Sequence, residues 1–173
     1  MNTPTAADRI RAVLLDIDGV LTDGRIGYGA EAAEVKFFHV RDGLGIKLLQ
    51  ASGIKVGVLS GRSSLANRHR AQGLRLDVVI EGEADKVAGL GKALGVLGLA
   101  AAECCYVGDD LLDVPVMRRV GLAVAVADAT DEVRGAAHLV TSHGGGQGAV
   151  REVAEWLLKQ AGRWQEVAQR YEL

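Results

Sequence analysis

The chain has 173 residues, of which 49% are hydrophobic and 24% are charged, and its formal net charge is -2. This length is enough to bury one substantial core, so we expect a single domain over residues 1–173. A nearly balanced charge, without a basic run interleaved with aromatic residues, disfavours nucleic-acid binding. Residues 1–8 are polar and no run approaches the roughly 20 apolar residues that span a bilayer, so we expect no membrane contact and a cytoplasmic location.

Short β-branched runs alternate with segments of helical spacing along the chain, and this alternation predicts an α/β fold. We expect a Rossmann-like parallel sheet with helices on both faces. The predicted strands lie near residues 11–17, 54–60, 77–80, 104–108, 122–126 and 138–141.

The first predicted strand ends in two carboxylates, Asp16 and Asp18, separated by Ile17. Residues two apart on a strand face the same side, so we expect the carboxylates together and Ile17 in the core. Two like charges this close repel unless a cation or a shared proton lies between them. Oxygen ligands without His or Cys suit Mg²⁺, so the pattern favours a magnesium site with an anionic ligand. The alternative is a pair of solvated turn aspartates.

Residues 25–40 follow, and their pattern predicts a β-hairpin beside these carboxylates, with its second strand over 34–40. The hairpin is a flap over the site, an ordinary edge hairpin or a subunit contact, since exposed aromatic residues often mark an interface. A helix is predicted next from the spacing of Leu44, Leu48 and their apolar neighbours.

Two further strand ends carry groups suited to an anion. Ser60 and Gly61 follow the strand near 54–60, where a hydroxyl and an amide can donate to a phosphoryl oxygen. Lys86 follows the strand near 77–80 and opens a helix. Its ammonium is a compact positive charge for a phosphate or an aspartyl phosphate, although most lysines at helix starts are merely solvated.

The strand near 104–108 ends in three carboxylates, Asp109, Asp110 and Asp113. Ligands of open α/β sheets bind outside the carboxyl ends of the strands. These carboxylates can therefore complete an oxygen-ligand shell begun by Asp16 and Asp18.

The cysteines and histidines lack the spacing of metal ligands. Cys104 and Cys105 are neighbours, and adjacent strand residues face opposite ways, so we predict two reduced core residues without a disulfide. The histidines are scattered at positions 39, 69, 138 and 143.

Near the C-terminus, Trp164, Val167, Ala168 and Tyr171 have the spacing of a short amphipathic helix. It packs either at a subunit interface or within the chain, and the sequence leaves both open.

The order of carboxylate pair, hydroxyl, lysine and carboxylate cluster at four strand ends resembles the haloacid dehalogenase superfamily of phosphohydrolases. Within it, segments 16–24, 38–46, 107–113, 115–117 and 145–152 are similar to the 3-deoxy-D-manno-octulosonate 8-phosphate (KDO 8-phosphate) phosphatase family. That family is capless, binds Mg²⁺ and forms homotetramers in which the hairpin and the C-terminal segment of a neighbour help to close the active site. No cap-sized insertion interrupts this chain, so we expect the hairpin flap and no cap domain.

The resemblance implies hydrolysis of a keto-acid sugar phosphate, KDO 8-phosphate. Asp16 would attack phosphorus to form an aspartyl phosphate, while Asp18 would protonate the leaving alkoxide and then activate water. Ser60 and Lys86 would hold the phosphoryl oxygens. Mg²⁺ would be bound by the Asp16 carboxylate, the Asp18 main-chain carbonyl and the Asp109 carboxylate.

Supporting roles follow from the same resemblance. Asp113, or else Asp110, would orient Lys86 or metal-bound water from behind the ligands. Gly61, Arg62 and Arg70 would bind the substrate, the arginines through its carboxylate.

Arg41 is a further candidate for binding the substrate carboxylate. The glycine-rich segment departs from the family at Gln147, where a basic residue is expected, so contacts between this segment and the substrate come into question. The other reading of the segment is a flexible linker.

Two other functions stay open. A phosphatase for a nine-carbon, sialic-acid-like 9-phosphate would use the same chemistry on another sugar. A non-catalytic sugar-phosphate-binding module would keep the fold without turnover, although such modules usually lose the nucleophile or the acid.

Overall fold

The computed structural model describes residues 6–172, so residues 1–5 of the polar N-terminal stretch lie outside the described part. The strands are β1 (Ala12–Leu15), β2 (Gly27–Tyr28), β3 (Glu34–Val35), β4 (Lys55–Leu59), β5 (Val78–Ile80), β6 (Cys104–Gly108), β7 (Leu122–Ala125) and β8 (Leu139–Val140). The α-helices are α1 (Ala6–Arg9), α2 (Val40–Ala51), α3 (Leu65–Leu74), α4 (Lys86–Leu97), α5 (Val114–Met117), α6 (Asp131–Ala136), α7 (Ala149–Gln160) and α8 (Trp164–Arg170).

Six strands form one parallel sheet in the order β5-β4-β1-β6-β7-β8. The four residues of β1 are fully buried, as expected for a central parallel strand covered on both faces. The separate β2 and β3 pair antiparallel as a small hairpin. The α/β class, the six predicted sheet strands and the hairpin are therefore confirmed.

The helices form two layers. Helices α2 and α7 pack against each other, and α2 also contacts β4, whereas α4, α5 and α6 contact one another and the strands β4 to β7. Right-handed crossovers put helices on opposite faces of a parallel sheet when the direction of strand addition reverses. The prediction of helices on both faces is thus confirmed.

The strand order reverses beside β1. From β1 the chain adds β4 and then β5 on one side, and α4 carries it back to β6 on the other side of β1. The carboxyl ends of β1 and β6 therefore flank the reversal, which is where open α/β sheets bind their ligands.

Several predicted boundaries were wrong. Strand β1 ends at Leu15, so Asp16 and Asp18 lie in a turn and not on a strand. The turn is tight because the Ile17 carbonyl accepts hydrogen bonds from the amides of Val20, Leu21 and Thr22. In the hairpin, β3 stops at Val35 instead of 40, because only two residues of β2 are available to pair with it.

The C-terminal amphipathic segment does form a helix, α8. Val167 is buried, Trp164 packs against the core, and the Lys159 ammonium lies 4.8 Å from the Trp164 ring centre. Trp164 and Val167 are therefore packed within the chain, whereas Tyr171 at the end of the same face is exposed. None of the helices within residues 6–172 is long and apolar enough to cross a membrane.

Candidate active site

One cavity of about 210 Å³ opens at the carboxyl end of the sheet, and it collects side chains from four strand ends. It is lined by Asp16, Asp18, Ser60, Gly61, Arg62, Lys86, Asp109, Asp110 and Leu112. The structure thus brings together the residues that the sequence placed at these strand ends, apart from Asp113, which lies fully buried nearby.

Asp16 is held at both carboxylate oxygens. Its Oδ1 accepts from the Ile17 amide at 2.7 Å, and its Oδ2 lies 2.9 Å from the Lys86 ammonium. Burial raises the pKa of Asp16 to about 6, and Lys86 opposes this rise. The result is an oriented carboxylate at the floor of the cavity.

Lys86 is nearly buried and bridges two carboxylates, since its Nζ also lies 2.6 Å from Asp113 Oδ1. It is placed by the start of α4, where the Asp85 side chain caps the helix by accepting from the Val87 and Ala88 amides. Burial works against the ammonium, yet Asp16 and Asp113 together raise the pKa of Lys86. Lys86 therefore stays charged.

Asp113 accepts four hydrogen bonds. Lys86 and the Tyr106 hydroxyl donate to Oδ1, each at 2.6 Å, and the Asp109 and Asp110 amides donate to Oδ2 at 2.9 and 3.2 Å. A Cβ at Gly108 would lie 2.5 Å from the Asp113 Cβ, so only glycine fits there. The carboxylate fixes both Lys86 and the turn after β6.

The residues present fit a divalent cation. Asp16, Asp109 and Asp113 each bring a carboxylate oxygen within 4.8 Å of the others, and Lys86 balances only one of these charges. Burial, with Asp16 and Asp113, raises the pKa of Asp109 to about 8, and its Oδ1 is buried without a hydrogen-bond partner. Each Asp113 oxygen already accepts from two donors, whereas each Asp16 oxygen faces only one and Asp109 Oδ1 faces none. Asp16 and Asp109 therefore keep the lone pairs that can ligate Mg²⁺.

Gly19 makes room for this arrangement. Its φ is +90°, and a Cβ there would lie 2.0 Å from Asp109 Oδ2. Gly145 packs onto the same turn, since its own Cβ would lie 1.8 Å from the Gly19 carbonyl oxygen, and the Gly146 amide donates to the Val20 carbonyl at 2.9 Å. The glycine-rich segment is a packed support for the turn and not a flexible linker.

Asp18 has a partner that the sequence did not reveal. The fully buried side chain of Lys36, from the hairpin, lies 2.6 Å from Asp18 Oδ1. The sequence alternates charged and apolar residues over 34–37, but this pattern alone does not say which set turns inward. In the structure Lys36 is buried, whereas Val35 and Phe37 are exposed. The like charges of the carboxylate pair are therefore each offset by a separate lysine.

Ser60 and Arg62 complete the rim of the cavity. Ser60 is buried at the end of β4, and its Oγ accepts from the Arg62 amide at 3.2 Å, which leaves the hydroxyl able to donate. The half-exposed Arg62 guanidinium pairs with Glu34 and lies 3.7 Å from Asp18 Oδ2. Asp110 is exposed and accepts from the Leu111 amide.

Three other predicted residues lie away from this cavity. Arg70 lies over the Phe38 ring at 5.3 Å and donates to the His39 carbonyl at 3.1 Å. Arg41 and Gln147 line a separate cavity of about 540 Å³ near the starts of α2 and α7. Neither Arg70 nor Gln147 is among the residues that line the cavity of Asp16 and Asp18.

The cysteine prediction is confirmed, since Cys104 and Cys105 are both free and buried. Burial raises the pKa of Cys104 to about 12, so it does not act as a thiolate.

Known proteins resemble this chain over nearly its full length. The family profile described as haloacid dehalogenase-like hydrolase matches residues 69–152. The 3-deoxy-D-manno-octulosonate 8-phosphate phosphatase KdsC of Salmonella typhi is 43% identical over 162 residues, which cover 94% of this chain and 86% of the relative.

Two crystal structures show the same likeness. A probable YrbI family phosphatase from Pseudomonas syringae has a TM-score of 0.93 and 40% identity over 97% of this chain and 96% of its own. KDO 8-phosphate phosphatase from Moraxella catarrhalis, in complex with magnesium, phosphate and KDO, has a TM-score of 0.92 and 36% identity over 96% of this chain and 95% of its own. The chain therefore belongs to the KDO 8-phosphate phosphatase family of haloacid dehalogenase-like hydrolases.

Proposed function

We propose that this chain, as a single domain, is a phosphatase that hydrolyses KDO 8-phosphate to KDO and phosphate. The observation that carries the proposal is the single cavity where Asp16, Asp18, Ser60, Lys86 and Asp109 meet. The relatives named KDO 8-phosphate phosphatase support the choice of substrate.

Asp16 is the nucleophile in this proposal. One of its carboxylate oxygens forms a bond to phosphorus as the bond from phosphorus to the sugar oxygen breaks, which gives an aspartyl phosphate. Asp18 donates a proton to the departing alkoxide and then accepts one from the water that attacks the aspartyl phosphate. Phosphate leaves and the Asp16 carboxylate is restored.

The remaining groups bind and orient the substrate. Lys86, the Ser60 hydroxyl and the Gly61 amide contact phosphoryl oxygens, and the Arg62 guanidinium at the rim takes the sugar carboxylate. Asp16, Asp109 and the Asp18 carbonyl would hold Mg²⁺, which would supply positive charge that offsets the repulsion between carboxylates and phosphate.

The test is Mg²⁺-dependent phosphate release from KDO 8-phosphate, a nine-carbon keto-acid 9-phosphate and hexose phosphates. We expect the highest kcat/KM for KDO 8-phosphate. A preference for the nine-carbon substrate would change the substrate and keep the mechanism, whereas no release from any of them would contradict a phosphatase function.

The matching variant is Asp16→Asn, which we expect to fold normally and to release no phosphate. Asp77→Asn is its control, because Asp77 pairs with Lys55 at the opposite, amino end of the sheet. Turnover retained in Asp16→Asn would contradict the covalent mechanism.

We also propose a homotetramer in the cytoplasm. Tyr28, Phe37 and Val40 expose apolar surface on and beside the hairpin, which supports an interface there. The free cysteines are in keeping with a reducing compartment. Light scattering tests the assembly, with an expected mass four times the 18.2 kDa of one chain.

A further inference from the structure

The two carboxylate oxygens of Asp18 have different surroundings. Oδ1 lies 2.6 Å from the Lys36 ammonium, at hydrogen-bond distance. Among the described residues Oδ2 has no hydrogen-bond partner, and the Arg62 Nε lies 3.7 Å from it. Oδ1 is therefore held, while Oδ2 is buried in the wall of the cavity that Asp18 lines, with its hydrogen-bonding capacity unused among the described residues.

Lys36 is an unusual residue at its position. The hairpin is small and exposed, with Val35 42% and Phe37 81% exposed, yet the side chain between them is a fully buried lysine. An apolar residue would satisfy the packing, because a buried ion pair rarely stabilises a fold better than apolar side chains of similar size. The hairpin thus turns its apolar groups outward and its charge toward Asp18.

The surrounding charges favour a fixed ammonium. Glu34 Oε2 lies 3.8 Å from Lys36 Nζ, and Glu34 also pairs with Arg62, so the two acids and two bases form one network across the hairpin and the rim. A lysine held by two carboxylates keeps its direction better than one held by a single exposed partner.

We infer that Lys36 is a positioning residue for Asp18. By holding Oδ1, it fixes the carboxyl group so that Oδ2 presents its proton to the oxygen of the departing sugar. This inference rests on the proposed function, in which Asp18 is the acid. In this role the small hairpin orients the acid that transfers the proton, in addition to covering the cavity.

The experiment compares Lys36→Met and Lys36→Arg with the parent on two substrates, KDO 8-phosphate and 4-nitrophenyl phosphate. The value of kcat/KM covers the steps up to release of the alcohol, and nitrophenolate leaves without being protonated. For Lys36→Met we expect a loss of about tenfold or more in kcat/KM on the sugar phosphate and less than about threefold on the nitrophenyl ester. Lys36→Arg should recover most of the loss, because it restores a charged donor.

Lys55→Met is the matched control, since it also removes a lysine from an ion pair, with Asp77, but far from the cavity. It should leave both activities unchanged. Melting temperatures of all variants report folding, and if Lys36→Met does not fold, Lys36→Ala takes its place, because it also removes the donor to Asp18.

Equal losses on the two substrates, or no loss on either, would overturn the inference while leaving the phosphatase function in place. A parent enzyme that hydrolyses neither substrate would instead overturn the proposed function, and the role of Lys36 with it.

Discussion

Removal of the Tyr106 hydroxyl tests how much the stability of the fold depends on the buried hydrogen bonds to Asp113 behind the cavity. Tyr106 is fully buried in β6, and its hydroxyl donates to Asp113 Oδ1 at 2.6 Å. Burial raises the pKa of Tyr106 well above its ordinary value, so the hydroxyl keeps its proton at any working pH. Tyr106→Phe removes this one donor and keeps the ring.

The expected loss can be worked out from the acceptor. A hydrogen bond to a charged group contributes about 1.5–3 kcal/mol to the free energy of unfolding. Asp113 keeps Lys86 and two amides, so the loss stays within that range and does not approach that of an unpaired buried charge. A loss of about 2 kcal/mol lowers the melting temperature of a chain of this size by roughly 4–8 °C.

Urea denaturation of Tyr106→Phe, followed by circular dichroism, measures the change. Tyr171→Phe is the control, because Tyr171 is exposed and its hydroxyl should be dispensable. We expect phosphatase turnover to survive in Tyr106→Phe, since Lys86 keeps both carboxylates. A free energy of unfolding within about 0.5 kcal/mol of the parent, at an unchanged m-value, would refute a stabilising role for this hydrogen bond.

Three further predictions concern the surroundings of the site. Gly145→Ala should destabilise the chain by about 1–3 kcal/mol and reduce turnover, because the new Cβ meets the Gly19 carbonyl. The control Gly91→Ala, in open space on α4, should be neutral or stabilising. Equal melting temperatures of the two variants would contradict this prediction. Burial raises the pKa of Asp42 above its unfolded value, so its carboxyl costs stability as the pH rises through the folded pKa. The free energy of unfolding of Asp42→Asn, measured in urea, should therefore rise relative to that of the parent as the pH increases from 4 to 7. A difference between the two proteins that does not change with pH would contradict this prediction. Asp109→Asn should melt above the parent in EDTA, since one like charge is removed, and gain nothing from added Mg²⁺; a magnesium-induced rise equal to that of the parent would rule out Asp109 as a ligand.

The sheet and its strand ends could be predicted from the sequence because both signals are local. Apolar runs mark the buried parallel strands, and a polar group directly follows three of them. After β5, Lys86 comes at the start of α4, beyond a short loop. Parallel topology then brings those ends to one edge, so Asp16, Ser60, Lys86 and Asp109 meet without further information.

The remaining contacts depend on geometry that the sequence does not encode locally. Lys36 was missed because strands of two residues leave the inward face of the hairpin undetermined until the turn after β1 is in place. In the sequence Tyr106 is one more apolar strand residue. The hydrogen bond from its hydroxyl to Asp113 becomes apparent only in the folded structure. Arg70 was placed at the substrate from the resemblance, but in this chain Phe38 and the His39 carbonyl take its guanidinium.

The support that Gly145 and Gly146 give to the turn after β1 has a consequence for the order in which the molecule is made. Asp16 leaves the ribosome well before Gly146, whose amide braces the turn after β1, and before Arg151, whose amide donates to Asp42 Oδ1 at 2.8 Å. A nascent chain can form β1, β4 and β6 while the turn at Asp16 still lacks its contacts with Gly145 and Gly146. Competence for turnover is therefore acquired only after the segment that carries Gly145, Gly146 and Arg151 has emerged and docked.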